Sequence, residues 1–326
     1  MSDKQDGRKG GIPKNFEPIP YEYHKELELD VENLTNLGMG ICRDDGWVIM
    51  VPFVLPGEKV LVRIYRNHKN YSDADLIKVL VASNDRVEPR CELFETCGGC
   101  QYQHISYVSQ LASKRSQVEE VFEQLADITP KVEEVIGSPS EYNYRTKLTP
   151  HFQKPRDGKI QAIGFLRNGQ RQRLVDVANC PIATDAINEA LPGARMELQE
   201  GFGLRKKRKG GTLLLRDSMG GVITDPDDIA MVKVGAKTYQ FKAGEFFQNN
   251  SLILPLLADY VIGEAKRDGV QYLIDAYCGV GFFSIYGSEQ FDNCLGIEIS
   301  DKAIVWAKTN AEINNVDNCK YLLGTA

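Results

Sequence analysis

The chain has 326 residues, of which 42% are hydrophobic and 26% charged, which is ordinary for a folded protein of two or three domains. It contains no run of eighteen apolar residues and begins with a polar stretch, so it predicts neither a membrane span nor a secretory signal. We expect a cytoplasmic protein whose eight cysteines are reduced thiols. A net charge of −6 gives no overall attraction to nucleic acid, so any such attraction has to come from local patches.

The first eighty residues contain a polar tail followed by a region of short strands. Residues 1–18 are expected to be disordered. Residues 19–82 alternate apolar and polar positions in short runs, which are separated by turn signals such as Asp45-Gly46 and Pro56-Gly57. Such a series of short strands predicts a small β-barrel of the OB type.

The segment CELFETCGGCQYQH places Cys91, Cys97 and Cys100 within ten residues. The two glycines between the last two cysteines would let the backbone turn closely around a bound centre. A four-thiolate site needs one more ligand, and the segment NCPI offers Cys180. Zinc and an iron–sulfur cluster both accept four thiolates, so the spacing indicates a site and leaves the metal open. The alternative interpretation is four unrelated buried cysteines.

Residues 83–235 read as a central α+β domain. Apolar residues at helical spacing predict one amphipathic helix over residues 105–128, which we expect to pack on the C-terminal region at 236–326. Residues 141–235 have the alternation typical of strands. A run of five basic residues at 205–209 predicts either a solvated loop or a phosphate contact.

Residues 236–326 alternate between helical and strand patterns, which predicts a parallel α/β sheet. The segment LIDAYCGVGFFS places an apolar strand before a turn containing Gly279 and Gly281, and the next strand ends at Glu298. An acid at that position suits a ribose diol. The third glycine of the dinucleotide fingerprint is missing, which disfavours NAD and favours S-adenosylmethionine. A structural strand–turn–helix without a ligand is the alternative.

Taken together and in this order, these segments resemble the iron–sulfur, S-adenosylmethionine-dependent RNA uracil-C5 methyltransferases, from about Leu27 to the last residue. The barrel region resembles their N-terminal TRAM module, and AGEFFQNN is similar to their Phe-x-Gln-x-Asn element. The resemblance implies a multidomain chain. It has a TRAM barrel at 19–82, a central domain with the cysteine site at 83–235, and an incomplete Rossmann-like class I methyltransferase domain at 236–326.

The resemblance also implies the cofactors and the residues that bind them. Four cysteines would hold a [4Fe-4S] cluster: Cys91, Cys97, Cys100 and Cys180. S-adenosylmethionine would be bound by Gln248, Tyr277 and Glu298 beside Gly279 and Gly281. The family forms a covalent adduct between a cysteine and uracil C6. Its catalytic cysteine and base fall beyond Ala326, so we expect a C-terminally truncated, monomeric chain that has no catalytic residue and is inactive alone.

The expected partner is RNA, with ribosomal RNA favoured over transfer RNA, and no membrane. The barrel segment RIYRNHKNY supplies the RNA-binding candidates Arg63, Arg66, Lys69 and Tyr71. A solvated barrel edge is the alternative for this segment. Two other functions stay open: a non-catalytic RNA-binding iron–sulfur protein with a remnant methyltransferase domain, and a Rossmann oxidoreductase with a zinc site.

Overall fold

The computed structural model describes residues 12–13, 15–157, 159–205, 210–267 and 269–325. Most of the tail that we expected to be disordered therefore lies outside the described residues, and so do residues 206–209 of the basic run. The chain divides into two compact units, Met1–Val135 and Ile136–Ala326.

The first unit begins with a closed five-stranded barrel, as the sequence predicts. Its strands pair in the order β1-β2-β3-β5-β4, with β3 and β5 parallel and the other neighbours antiparallel. Alternate side chains such as Val60, Val62 and Ile64 are fully buried and fill the barrel. The strands are β1 (Glu26–Leu34), β2 (Met39–Asp44), β3 (Trp47–Pro52), β4 (Lys59–Asn67) and β5 (Tyr71–Val81).

The segment that follows the barrel is fastened to it by a buried ion pair. The Glu58 carboxylate is fully buried and accepts hydrogen bonds from the Arg86 guanidinium, with a Nη2–Oε2 distance of 2.8 Å. It also accepts the backbone amides of Leu55 and Ser83 at 2.8 and 3.2 Å. The cysteine-bearing turns come next, and then helix α1 (Tyr107–Ala126), which Ser106 caps. This helix occupies the stretch in which the sequence predicts one.

The second unit opens with short strands that form two small sheets and a hairpin. The sheets have the orders β10-β7-β8-β9 and β12-β11-β6, and β13 pairs with β14. The strands are β6 (Lys147–Leu148), β7 (His151–Phe152), β8 (Ile163–Arg167), β9 (Gln170–Asp176), β10 (Gly211–Thr212), β11 (Leu215–Ser218), β12 (Gly221–Ile223), β13 (Ile229–Val234) and β14 (Lys237–Lys242).

A 21-residue helix, α2 (Asp185–Arg205), lies where the sequence analysis expected only strands. Its buried side chains Ile187, Leu191 and Ala194 recur at helical spacing, so the signal is present in the sequence. Pro192 and Gly193 in the middle of the segment obscure that signal, because both residues are unfavourable inside a helix. Here the free energy gained by burying the apolar face of the helix outweighs the low helix propensity of Pro192 and Gly193.

The last part of the second unit is the parallel α/β sheet that the sequence predicts. Its strand order is β15-β16-β17, and both pairs are parallel. None of the described helices is long and apolar enough to cross a membrane. The elements are α3 (Leu254–Ala265), β15 (Tyr272–Ala276), α4 (Phe282–Tyr286), β16 (Asn293–Glu298), α5 (Asp301–Ile313) and β17 (Cys319–Leu323).

Candidate cofactor site

The turn between β15 and α4 needs glycine for two different reasons. Gly281 has φ 83°, and a Cβ there would lie 2.9 Å from the Tyr321 hydroxyl and 3.0 Å from Ile285 Cδ1. Gly279 has φ 54°, but a Cβ there would meet no heavy atom of the described residues within 4 Å. Gly281 therefore lets the turn pack on the sheet, whereas Gly279 borders open space that a ligand can enter. Tyr277, also at positive φ (64°), is 75% exposed beside them.

Glu298, at the end of β16, accepts one backbone hydrogen bond from this turn and one from the residue that caps α5. Oε2 accepts the Gly279 amide at 3.0 Å, and Oε1 accepts the Ser300 amide at 2.9 Å. A carboxylate oxygen can accept more than one hydrogen bond, so each of them can still accept a hydroxyl. Because the two amides fix its orientation, Glu298 is prepared to receive a diol.

Asp275, at the end of β15, has a structural role that the sequence analysis did not assign. It is 8% exposed and accepts the Ser284 amide at 3.0 Å, which ties the end of the strand to α4. The pKa of this carboxyl is raised overall. Burial is the main cause and the charge of Glu298 adds to it, whereas the hydrogen bonds from Ser284 partly offset the increase.

Cys278 lies inside the turn, and its environment does not suit a nucleophile. Burial raises the pKa of its thiol to about 12, and the carboxylates of Asp275 and Glu298 contribute to the increase. The reactive form of cysteine is the thiolate, which this site disfavours at neutral pH. Cys278 is therefore a packing residue of the turn.

Gln248 lies in the loop between β14 and α3, and the loop packs against the glycine turn through its neighbour. Phe247 is buried, with its ring centroid 6.1 Å from that of Phe282, the first residue of α4. It also stacks on Phe241 at 4.5 Å. Gln248 follows directly and is exposed. The structure therefore brings the loop that carries Gln248 to the glycine turn, to which Glu298 is also hydrogen-bonded.

Two cations that the sequence analysis missed hold the start of this loop. The Lys147 ammonium donates to the carbonyls of Gly244 and Glu245 at 2.7 and 3.2 Å. Arg216, which is fully buried, donates to the carbonyls of Ala243 and Glu245 at 3.3 and 2.9 Å. Burial lowers the pKa of both groups, and that of Arg216 falls to about 10. No sequence motif signals these contacts, because the partners are between 27 and 98 residues apart.

All eight cysteines lie in the described part of the chain, and none forms a disulfide. The pKa of the Cys97 thiol is raised overall. Burial is the main cause and the nearby thiols of Cys100 and Cys91 add to it, whereas a hydrogen bond with the Gly99 backbone partly offsets the increase. The Cys180 turn is fixed within its own unit, since the Cys180 amide donates to the Asn188 side chain at 2.9 Å.

The donor chemistry of these cysteines fits a thiolate-bound centre. Across the described ranges, no three His, Cys, Asp or Glu side chains come together as a metal ion would require. The four cysteines Cys91, Cys97, Cys100 and Cys180 are each partly buried.

The predicted RNA-binding residues lie along β4, β5 and the turn between them. Arg66 and Lys69 are exposed. Arg63 instead lies within the barrel wall, 3.5 Å from the Asp75 carboxylate. Tyr71 stacks on the His68 ring at 4.3 Å, and His68 is held by Asp73 at 2.8 Å. The two exposed cations are thus presented beside an ordered pair of rings.

Family models match both ends of this architecture. The model described as "tRNA (Uracil-5-)-methyltransferase" matches residues 222–324, and that of the TRAM domain matches residues 24–77. A tRNA (uracil(54)-C(5))-methyltransferase of Schizosaccharomyces pombe is 37% identical over 94% of this chain and 62% of its own length. A protein of the same name from Saccharomyces cerevisiae is 29% identical over 95% of this chain and 60% of its own length. The chain thus spans about three fifths of the length of these relatives.

The fold has a counterpart among solved structures. The tRNA (uracil-54, C5)-methyltransferase of Pyrococcus abyssi, solved in complex with S-adenosyl-L-homocysteine, superposes with a TM-score of 0.67 at 23% identity. The superposition covers 91% of this chain and 79% of the other, and it shows a shared fold. The two domain matches and the sequence relatives show that the chain is similar to the tRNA (uracil-5-)-methyltransferases at residues 222–324 and to the TRAM domain at residues 24–77.

Proposed function

We propose that this protein transfers a methyl group from S-adenosylmethionine to C5 of a uridine in transfer RNA. The observation that carries the proposal is the position of Glu298, which accepts the Gly279 amide of the open glycine turn and is oriented by the Ser300 amide. The donor's ribose diol would bind this carboxylate, and the exposed Tyr277 and Gln248 would contact the rest of the molecule.

The reaction needs a nucleophile in addition to the methyl donor. Uracil C5 attacks a methyl group poorly, whereas addition of a cysteine thiolate at C6 turns the ring into an enolate that attacks readily. A base then removes the C5 proton and the thiolate leaves. Cys278 does not fit the role of this thiolate, because burial keeps its thiol protonated. The role that the described residues support is to bind and orient the methyl donor.

Transfer RNA is our proposed substrate, although the sequence alone favoured ribosomal RNA. The support comes from the two fungal relatives, whose names specify uracil 54 of transfer RNA. The exposed barrel cations Arg66 and Lys69 supply charge for the RNA backbone.

We also propose that Cys91, Cys97, Cys100 and Cys180 bind a [4Fe-4S] cluster. The proposal is supported by the family resemblance, by the all-thiolate donor set and by the closeness of Cys100 and Cys91 to Cys97, whose pKa they raise. Such a cluster would supply a covalent tie between chain segments, and no reaction step depends on it.

The functional test uses the protein expressed from its complete reading frame. It is incubated with methyl-tritiated S-adenosylmethionine and either a transfer RNA transcript or a ribosomal RNA fragment, and labelled 5-methyluridine is measured after digestion. We expect label in transfer RNA. Label in ribosomal RNA alone would contradict the substrate, and RNA binding without label in either would favour the non-catalytic alternative.

The role of Glu298 is tested by titration with S-adenosylhomocysteine. Glu298→Ala should weaken binding at least tenfold, because the diol loses its acceptor and the Gly279 amide loses its partner. The matched control Glu312→Gln changes an exposed acid of α5 and should bind as the unaltered protein does. Equal affinity of all three proteins would remove Glu298 from the site.

A further inference from the structure

A concave surface on the first sheet of the second unit has no role in the proposed cofactor site. It is a cavity of about 490 Å³ formed around β7, β8 and β9. Three exposed cations and three exposed amides line it: Lys154, Arg156, Arg173, Gln153, Gln161 and Gln172. No carboxylate of the described residues contributes to its lining.

The local charge of this surface opposes that of the whole molecule. Residues 153–174 contain six basic residues and one acidic residue, whereas the chain as a whole has a net charge of −6. Lys154, Arg156 and Arg173 form no ion pair with any carboxylate in the described part of the chain. Exposed cations that lack internal partners keep their charge available for an external anion.

The backbone beneath the cations is held firmly. Arg156 and Lys159 exchange two backbone hydrogen bonds, of 2.9 and 3.0 Å, which close the turn that carries Arg156. Arg195 of α2 donates to the carbonyls of Ile163 and Val177 at 2.7 and 2.9 Å. Its Nη2 also donates hydrogen bonds to both oxygens of the Asp176 carboxylate, at 2.9 and 2.8 Å. The cations therefore project from a fixed platform, which reduces the entropy lost on binding.

We propose that this basic concavity binds the phosphodiester backbone of the RNA substrate, an inference that rests on the proposed function. Guanidinium groups pair with phosphate oxygens through two parallel hydrogen bonds, and lysine contributes a point charge. The three glutamine amides can donate to phosphate and ribose oxygens. Among the described residues that line the surface there is no aromatic side chain on which a base could stack, so the surface contributes affinity and orientation and does not read the base sequence.

The test compares two triple variants of the protein that remove equal charge. Lys154→Gln, Arg156→Gln and Arg173→Gln together remove the cations of the concavity. The matched control replaces Lys302, Lys308 and Lys320 by Gln, since these are exposed lysines in the α/β part of the same unit. Binding of a fluorescent transfer RNA transcript is measured across a series of KCl concentrations, and binding of S-adenosylhomocysteine is measured in parallel.

We expect the concavity variant to bind RNA at least tenfold more weakly at moderate salt, with the slope of log K against log salt reduced by about two to three. The control should keep the original slope, and both variants should bind S-adenosylhomocysteine normally. Unchanged RNA affinity in the concavity variant, or an equal loss in the control, would overturn the inference while leaving the methyltransferase proposal intact. Failure of the unaltered protein to bind any RNA would overturn both.

Discussion

Gly279 and Gly281 show how residues of one type, two positions apart, serve different purposes. Both have positive φ, which costs about 1–2 kcal/mol for a residue with a Cβ. Gly281 faces the core, where Tyr321 and Ile285 leave no room, whereas Gly279 faces open space. Glycine at position 281 is therefore needed for the stability of the fold, and glycine at position 279 is needed to leave space for the ligand.

Alanine at each position should separate these purposes. Gly281→Ala should lower the free energy of unfolding by about 2–4 kcal/mol, because backbone strain adds to overpacking. Gly279→Ala should lower it by only about 1–2 kcal/mol, but should weaken S-adenosylhomocysteine binding, because its methyl group projects into the ligand space. Denaturant melts and titration calorimetry measure the two effects. If the two variants had the same free energy of unfolding, the different purposes assigned to Gly279 and Gly281 would be contradicted.

At the scale of elements, the barrel depends on the buried Glu58 at its edge. Burial alone would raise the pKa of Glu58, but hydrogen bonds from Arg86 and from the Leu55 and Ser83 amides outweigh it and hold the pKa below the usual value of 4.5. An unfolded chain therefore takes up this proton before the folded one does. The stabilisation is complete above about pH 4.5 and is lost as the pH falls through the lower folded value.

Glu58→Gln should remove this part of the pH dependence. At neutral pH the variant should lose roughly 3 kcal/mol of stability, because the Arg86 guanidinium is left without its counter-charge. The free energy of unfolding is measured at pH values from 7 to 3. Glu26→Gln, which changes an exposed acid of β1, is the control and should follow the original curve. A Glu58→Gln curve that still falls as steeply in acid would assign that pH dependence to other groups.

The turn between β4 and β5 supplies a second prediction for the barrel. Arg66→Gln with Lys69→Gln should weaken binding to transfer RNA severalfold and reduce the salt slope by about one to two. Lys25→Gln with Lys78→Gln removes the same charge from exposed positions elsewhere on the barrel and should have little effect. Filter binding at several salt concentrations provides the measurement. If the two double variants behave alike, the turn is a solvated edge of the barrel.

Elements with strong local patterns could be predicted from sequence, whereas those defined by distant partners could not. The barrel follows from alternation and turn residues, and the glycine turn from a strand followed by Gly279 and Gly281. Helix α2 was not predicted because Pro192, which is unfavourable inside a helix, obscures the helical spacing of its apolar residues. The anchoring roles of Lys147 and Arg216 depend on carbonyls that approach them only in the folded chain, so neither residue carries a recognisable signal.

At the scale of the whole molecule, the proposed cluster gives a spectroscopic prediction. Protein prepared without oxygen should be brown and contain about four iron and four sulfide per chain. Serine at Cys91, Cys97, Cys100 or Cys180 should abolish the colour, whereas Cys319→Ser removes a thiol of β17 and should leave it unchanged. Iron analysis and visible absorbance provide the readout. One zinc per chain with no absorbance would replace the cluster with a zinc site.

The hydrogen bonds from Lys147 and Arg216 to the carbonyls of residues 243–245 also have a consequence for folding during synthesis. Both cations leave the ribosome before the loop whose carbonyls they bind. Translation delivers N-terminal segments first, so the receptor for this loop can already be folded when the loop appears. A cofactor pocket made from such distant segments would otherwise close slowly. The order of synthesis thus favours a nascent chain in which each later segment docks on a surface that is already present.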